Sequence, residues 1–246
     1  VAMVALGVVL GWRQALITVG LGGLTVAVVL LLRMEDASSD GDGEKSDDSS
    51  NLAAGIRLLF QPPVLLAYLF FFLMAMALIG LQSFIPTSLT LLRDLPLATA
   101  NVALTWLLTG TTLGVLIGGI LADRIVRHDR IAVYGMAMCG VMVAVAGLIQ
   151  PALSLTMGAF LLAGLAFGTA LPSRDMVVRA ITPPRSTGKV FGFIYSGLDT
   201  GSAFSPVLFG WFVDMGHALW IFIYAPLFLF LAAGTILAAR LLSRSP

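Results

Sequence analysis

The chain of 246 residues is 59% hydrophobic and 11% charged, whereas an ordinary soluble domain is about 45–50% apolar and about 25% charged. This composition excludes a water-soluble globular protein. The 14 Lys and Arg residues stand against 13 Asp and Glu, a net charge of +1 that gives no reason to expect a nucleic-acid partner. One cysteine, Cys139, and two distant histidines argue against disulfide, redox or metal chemistry, and no cofactor is expected.

Apolar stretches long enough to cross a bilayer recur along the chain. A hydrocarbon core of about 30 Å needs roughly 20 apolar residues in a helix, and continuous runs favour helices over the alternating strands of a barrel. We therefore predict an all-α fold, a polytopic membrane helical bundle. The predicted spans are a partial one at 1–10 and full spans at 14–32, 64–84, 98–122, 131–149, 154–171, 190–212 and 219–239.

A hydrophilic segment at 35–50 divides these spans. It carries seven of the 13 acidic residues and no large apolar side chain, which predicts a disordered linker. Apolar residues then recur at helical spacing from Leu52 to Phe60, which predicts a short interfacial helix. The expected domains are the end of an N-terminal helical bundle at 1–32, a cytoplasmic acidic linker with the interfacial helix at 33–62, and a six-helix transmembrane bundle at 63–246.

The basic residues predict the orientation in the membrane. If the linker is cytoplasmic, only Arg13 and Arg93 of the 14 Lys and Arg fall on the outer side. The positive-inside rule therefore places the linker and the C-terminus in the cytoplasm. The residues on that side are Arg33, Lys45, Arg57, Arg124, Arg127, Arg130, Arg174, Arg179, Arg185, Lys189, Arg240 and Arg244.

Three motifs carry a resemblance to a known family. The segment GILADRIVRH at 119–128 resembles the cytoplasmic loop signature of the major facilitator superfamily, although Val126 replaces a glycine and His128 replaces Lys or Arg. The turn GWR at 11–13 is similar to the family's connection between helices five and six, and the segment at 182–192 resembles its loop before helix eleven. The resemblance implies the end of helix five, helix six, the central loop and helices seven to twelve of a twelve-helix transporter. Because the sequence starts inside an apolar run, we expect the N-terminal helices of that transporter to be missing from it.

Charged residues of the first motif predict a cytoplasmic latch. Asp123 at the carboxyl end of a helix meets an unfavourable helix dipole and needs a cation, which Arg124 or Arg127 can supply. Such a cluster can hold helices together in one conformation and release them in another; the alternative is plain anchoring of arginines at the membrane surface. The gate and latch candidates are Gly119, Asp123, Arg124, Arg127, Arg174, Asp175 and Arg179, with an expected i,i+4 pair between Asp175 and Arg179.

Asp199 is the main ionisable residue expected near the membrane midplane, where such residues are functional by default. It shares a helix face with Tyr195 and Ser202. We expect these three residues to form a proton or substrate-cation site, because burial favours a protonated carboxyl group. The alternative is a carboxylate that accepts hydrogen bonds from neighbouring helices for structure alone.

Two stripes of small residues predict close helix packing, since residues four apart lie on one helix face and let backbones approach. The stripes are Gly110, Gly114 and Gly118 on one helix, and Gly197, Gly201 and Ser205 on another.

The predicted function is secondary active transport, without enzymatic activity, of a small solute by alternating access coupled to protons. The sequence contains no Walker loop, the motif that would indicate ATP-driven transport. The segment at 172–205 resembles bacterial efflux members of the superfamily of the drug or fosmidomycin-resistance sort, which implies export. The expected partners are a small-molecule substrate, protons, the lipid bilayer of a bacterial or archaeal cytoplasmic membrane, and the missing N-terminal bundle. The alternatives are a proton-coupled uptake permease for a small metabolite or organic anion, a non-transporting receptor or scaffold, and a pore.

Overall fold

The computed structural model describes residues 12–37, 59–124, 127–181 and 187–242, and the regular structure in these ranges is helical. The partial span predicted at 1–10 and most of the predicted linker lie outside them. The first helix continues to Ala37, beyond the predicted end at residue 32. The helices are α1 (Trp12–Ala37), α2 (Pro62–Arg93), α3 (Leu97–Arg124), α4 (His128–Ala144, continued by a π-helical segment Val145–Ile149), α5 (Leu153–Ile181), α6 (Thr187–Asp214) and α7 (Ile221–Leu242, preceded by a 3-10 turn Ala218–Trp220).

The chain divides into two compact units, Val1–Asp48 and Ser49–Pro246. Within the first unit, two threonines of α1 bond to the backbone of their own helix. Thr18 and Thr25 donate hydrogen bonds of 2.8 and 2.7 Å to backbone carbonyls one turn earlier. Such bonds let threonine sit on an apolar helix without a partner elsewhere.

Five helices in the described part of the chain are long and apolar enough to cross a membrane: α2, α3, α4 with its π-helical segment, α5, and α7 with its 3-10 turn. Helix α6, the remaining span predicted for the second unit, forms an uninterrupted helix of 28 residues but falls outside this set. The polar and small residues between Tyr195 and Ser205 lower its mean hydropathy. The helix predicted at 190–212 is therefore confirmed, with a polar centre that keeps it outside the most apolar set.

The second unit packs as two related sets of three helices. Helix α3 packs on α5, and α6 packs on α2 in the same way. Helix α4 contacts α5, just as α7 contacts α2, and α4 and α7 also contact each other. If α2 is exchanged with α5, α3 with α6 and α4 with α7, the same set of helix contacts results. The carboxyl end of α2 lies against the amino end of α5, where Arg93 contacts Thr156. The two sets are therefore related by an inverted repeat.

The glycine stripe on α3 is buried against the backbone of α5. A Cβ atom at Gly110 or Gly114 would overlap the carbonyl oxygen of Leu161 or Leu165, and one at Gly118 would lie 2.6 Å from the carbonyl oxygen of Thr169. Glycine is therefore required at these positions for the observed approach of the two helices, as the spacing predicts.

The second stripe packs α6 on α2 in the same way. A Cβ at Gly197 would lie 2.7 Å from the carbonyl oxygen of Tyr68, and one at Gly201 would overlap that of Phe72. Ser205, one step further, is fully buried and donates a 2.7 Å hydrogen bond to the carbonyl of Met76. The small-residue stripes thus build the corresponding helix pair of each repeat.

The two ends of the second unit differ in charge. One end, here called the basic end, contains the amino ends of α2, α4 and α6 and the carboxyl ends of α3, α5 and α7. Its exposed cations include Arg124, Arg127, Arg130, Arg179 and Lys189. The other, here called the opposite end, contains Arg93 and the turn between α4 and α5.

Candidate functional site

A part-buried arginine lies between α2, α5 and α6. The side chain of Arg174 on α5 is 13% exposed, and its Nε atom donates a 3.1 Å hydrogen bond to Oδ1 of Asp175. Its Cζ atom lies 4.8 Å from the ring centroid of Phe71 on α2, and Nη1 lies 3.1 Å from the sulfur of Met74. A guanidinium in this position is stabilised by one carboxylate, one aromatic face and one polarisable sulfur.

Tyr195 on α6 completes this group. Its hydroxyl donates a 3.0 Å hydrogen bond to Oδ1 of Asp175, and its ring lies 5.0 Å from Phe71 and 6.0 Å from Phe191. The residues Phe71, Met74, Arg174, Asp175 and Tyr195 are called the Arg174 cluster below. It joins a residue predicted for proton coupling, Tyr195, to two predicted for gating.

The structure corrects one predicted contact. The sequence predicts an i,i+4 ion pair between Asp175 and Arg179, but Asp175 pairs with Arg174 and Tyr195 instead. Arg179 is exposed at the basic end, with no ion pair to the described residues. The reason is geometric: Arg174 and Tyr195 both lie within hydrogen-bond distance of the Asp175 carboxylate, whereas Arg179 is exposed at the surface.

The polar face of α6 is open. Asp199 is the thirteenth residue of this 28-residue helix, which places it near the helix centre, and its side chain is exposed. Tyr195 and Ser202 flank it and are half-buried. The residues of this unit therefore do not bury Asp199. The helix otherwise divides as predicted, with its glycine stripe packed on α2 and its polar face accessible.

The predicted latch residues lie at the basic end. Gly119, Asp123 and Arg124 belong to the last turns of α3, and Arg127 immediately precedes α4. Asp123, Arg124 and Arg127 are exposed, and Asp123 has no ion pair to any described residue. A Cβ at Gly119 would meet nothing within 4 Å, unlike one at its neighbour Gly118. The latch residues are thus available to a partner outside this unit.

Other predicted features fall outside the described residues or add nothing to the site. Gly11 and 182–186, parts of two family motifs, are not described, while Trp12 and Arg13 begin α1. Among the described residues, no group of three His, Cys, Asp or Glu could hold a metal ion.

Sequence reasoning missed the α2 side of the Arg174 cluster. Phe71 lies in a run of three phenylalanines and Met74 in an apolar stretch, and neither pattern shows which ring or sulfur meets a cation. The available signal was the helical spacing of Phe71 and Met74, which places the two on one side of α2.

Comparisons with known proteins agree with this architecture. A family model described as Major Facilitator Superfamily matches residues 88–246. A crystal structure, described as the in meso structure of the POT family transporter PepTSo, matches with a TM-score of 0.65 and 16% sequence identity, covering 72% of this chain and 37% of that one. A search of curated proteins gave no match.

The likeness to PepTSo concerns the fold, and this chain spans 37% of that protein's length. The family match extends over more than half of the chain and over five of the seven described helices in whole or in larger part. Proteins of this family transport solutes and are not enzymes. With its apolar helices and inverted repeat, the chain is an integral, multi-pass membrane protein and belongs to the Major Facilitator Superfamily.

Proposed function

We propose that this chain is the C-terminal part of a secondary active transporter that exports a small molecule, a drug or metabolite, in exchange for protons. The observation that carries the proposal is the Arg174 cluster, in which a guanidinium that is only 13% exposed joins Asp175 on α5 and, through it, Tyr195 on α6. Ionisable groups at such positions are costly and are retained for substrate or ion pathways. The resemblance of the segment at 172–205 to efflux members supports the direction.

The inverted repeat supports alternating access. In transporters with such repeats, substrate and coupling sites lie at the interface of the repeats, and conformations exchange by rocking of one bundle against another. The open polar face around Asp199 and the exposed latch residues at the basic end both suit contact with a second bundle. We place the basic end in the cytoplasm by the positive-inside rule.

Within this proposal, Asp199 with Tyr195 and Ser202 binds the coupling proton or a substrate cation. Asp175 holds Arg174 in place through its carboxylate. Asp123, Arg124 and Arg127 form the cytoplasmic latch with Gly119. Arg174, Asp175 and Arg179 line the cytoplasmic gate.

A second candidate function is proton-coupled uptake of an organic anion. Arg174 favours it, since a part-buried guanidinium has five N–H donors and recognises carboxylate or phosphonate groups. Only two of its nitrogens have hydrogen-bond partners among the described residues.

The direction of the proton gradient distinguishes these functions. The complete protein that carries this sequence is placed in everted bacterial membrane vesicles, and accumulation of labelled fosmidomycin, ethidium or succinate is measured. Proton-coupled export predicts saturable accumulation when the vesicle interior is acidified, abolished by a protonophore. Uptake predicts accumulation only when the exterior is acidified. Binding without flux under either gradient would contradict transport and favour a receptor or scaffold.

A further inference from the structure

A second arginine joins helices at the opposite end of the unit. Arg93, the last residue of α2, donates from Nη1 to the hydroxyl of Thr156 on α5 (2.8 Å) and from Nη2 to the carbonyl of Pro151 (2.9 Å). Thr156 is fully buried, and its own hydroxyl lies 3.1 Å from the same carbonyl. One guanidinium therefore connects the end of α2, the turn after α4 and the first turn of α5. The contact between Arg93, Pro151 and Thr156 is called the Arg93 clamp below.

The backbone around this clamp is unusual. Helix α4 ends in the π-helical segment Val145–Ile149, and Gln150 then adopts a left-handed conformation with φ of 50°. Asp94, directly after Arg93, has the same φ of 50°. Left-handed residues other than glycine are uncommon, and π-helical segments occur frequently at functional sites. Both irregularities lie directly beside the clamp, because Gln150 precedes Pro151 and Asp94 follows Arg93.

The inverted repeat supplies a counterpart for Arg93. Pro86 in α2 and Pro172 in α5 each stand seven residues before an arginine, Arg93 and Arg179 respectively. The repeat places Arg179 at the basic end, where it is exposed and forms no ion pair with a described residue. The same sequence pattern thus ends in a closed contact in one repeat and a solvent-facing side chain in the other.

The completeness of packing also differs between the two junctions, and the junction at the basic end is the less completely filled. At the basic end, the corresponding junction between α2, α5 and α7 contains a cavity of about 30 Å³. Its lining includes Pro63, Phe70, Val178 and Ile236, together with Arg174. The Arg93 junction is closed by hydrogen bonds, whereas the corresponding junction at the basic end is incompletely filled. Beside the clamp, an open cavity of about 510 Å³ lies between the amino ends of α3 and α5 at the opposite end.

We propose that Arg93 is a positioning residue for alternating access: its clamp holds α2 and α5 together at the opposite end in this conformation and releases them in the other. Pro86 and Pro172 each remove one intrahelical hydrogen bond, which gives both helices a point of bending. Release of the clamp lets α2 and α5 separate at the opposite end while the cavity at the basic end closes. This inference rests on the proposed function only in assuming that the transporter has two conformations. It deepens the proposed function by naming a contact that stabilises one of these conformations.

Distances between paired spin labels test the clamp directly. Leu91 on α2 and Leu155 on α5 are 57% and 64% exposed and report on the opposite end. Leu65 and Met176, 38% and 36% exposed, report on the basic end. Labels are attached to cysteines at these positions in the complete protein, and the native Cys139 does not compete because it is buried.

The expected result is a new, longer-distance population for the pair at the opposite end in Arg93→Gln, with a shorter population at the basic end. Thr156→Val removes one acceptor of the same clamp and should reproduce the shift in part. The double variant should shift no further than Arg93→Gln alone, and Arg93→Lys should restore part of the wild-type distribution. Arg130→Gln changes an exposed cation that belongs neither to the clamp nor to the lining of the cavity, so it should change neither distance.

Unchanged distances at the opposite end in both Arg93→Gln and Thr156→Val would overturn the inference. If Arg93→Gln does not fold, Thr156→Val decides the question alone, since it changes one buried hydroxyl. Wild-type protein without solute flux would contradict the proposed function, whereas the label distances would still report whether Arg93 holds α2 and α5 together.

Discussion

The hydroxyl of Tyr195 on α6 donates a 3.0 Å hydrogen bond to the carboxylate of Asp175 on α5. Helices α5 and α6 otherwise share few backbone contacts, because α5 packs mainly on α3 and α4 and α6 mainly on α2. Within the described ranges, this hydrogen bond is the polar contact that links two helices belonging to different packing pairs. Through Asp175, the link extends to Arg174 and the aromatic face of Phe71.

Removal of this link tests the role of Tyr195. Tyr195→Phe keeps the ring contacts with Phe71 and Phe191 but removes the hydrogen bond to Asp175. Because the Asp175 side chain is 45% exposed, solvent weakens this hydrogen bond to about 0.5–1.5 kcal/mol, so we expect a slightly lower melting temperature in detergent and slower transport. Tyr134→Phe is the matched control, because Tyr134 is 70% exposed. Equal effects of the two substitutions would contradict a role for the Tyr195 hydroxyl.

Arg174 should depend on both its charge and its planar shape. Arg174→Met leaves Asp175 without its cation. Since we propose that this pair acts in the gating step, a loss of about 1.4 kcal/mol in that step corresponds to roughly a tenfold decrease in transport rate. Arg174→Lys keeps the charge but loses the planar stacking over Phe71, so we expect intermediate activity.

The double variant Arg174→Met with Asp175→Asn separates stability from function. It removes both charges, so its melting temperature should exceed that of Arg174→Met while its transport stays low. Recovery of transport in the double variant would indicate that the pair has a structural role only.

Glycine packing between α3 and α5 predicts a large effect from a single methyl group. The Cβ of Gly114→Ala would overlap the carbonyl oxygen of Leu165, and neither backbone can move without disturbing its helix. Overpacking typically costs about 1–3 kcal/mol, which we expect to appear as a lower melting temperature in detergent. Gly158→Ala on α5 is the control, because its Cβ would meet nothing within 4 Å. A variant Gly114→Ala that melts at the wild-type temperature would contradict the packing.

The sequence predicts this fold well because membrane helices are specified by local composition. Apolar runs define α2 to α5 and α7, and the glycine spacing identifies which helix faces approach closely. The pairing of α3 with α5 and of α6 with α2 is a long-range property that no local pattern contains. The same limit applies to the site: a charge near a helix end identifies Arg174, but only the packing shows that Asp175 faces Tyr195 and not Arg179.

Asp199 provides the sharpest test of proton coupling. Asp199→Asn keeps the size of an exposed side chain at the centre of α6, so the fold and the melting temperature should not change. It removes the group that we propose to bind the proton or a substrate cation. We expect accumulation driven by a pH gradient to be lost, while exchange of labelled for unlabelled substrate at equal pH persists, since exchange needs no net proton movement. Asp214→Asn, an exposed carboxylate at the end of the same helix, should keep both activities. Accumulation by Asp199→Asn at the wild-type rate would remove this residue from the coupling mechanism and leave Asp175, whose charge holds Arg174, as the carboxylate to be tested next.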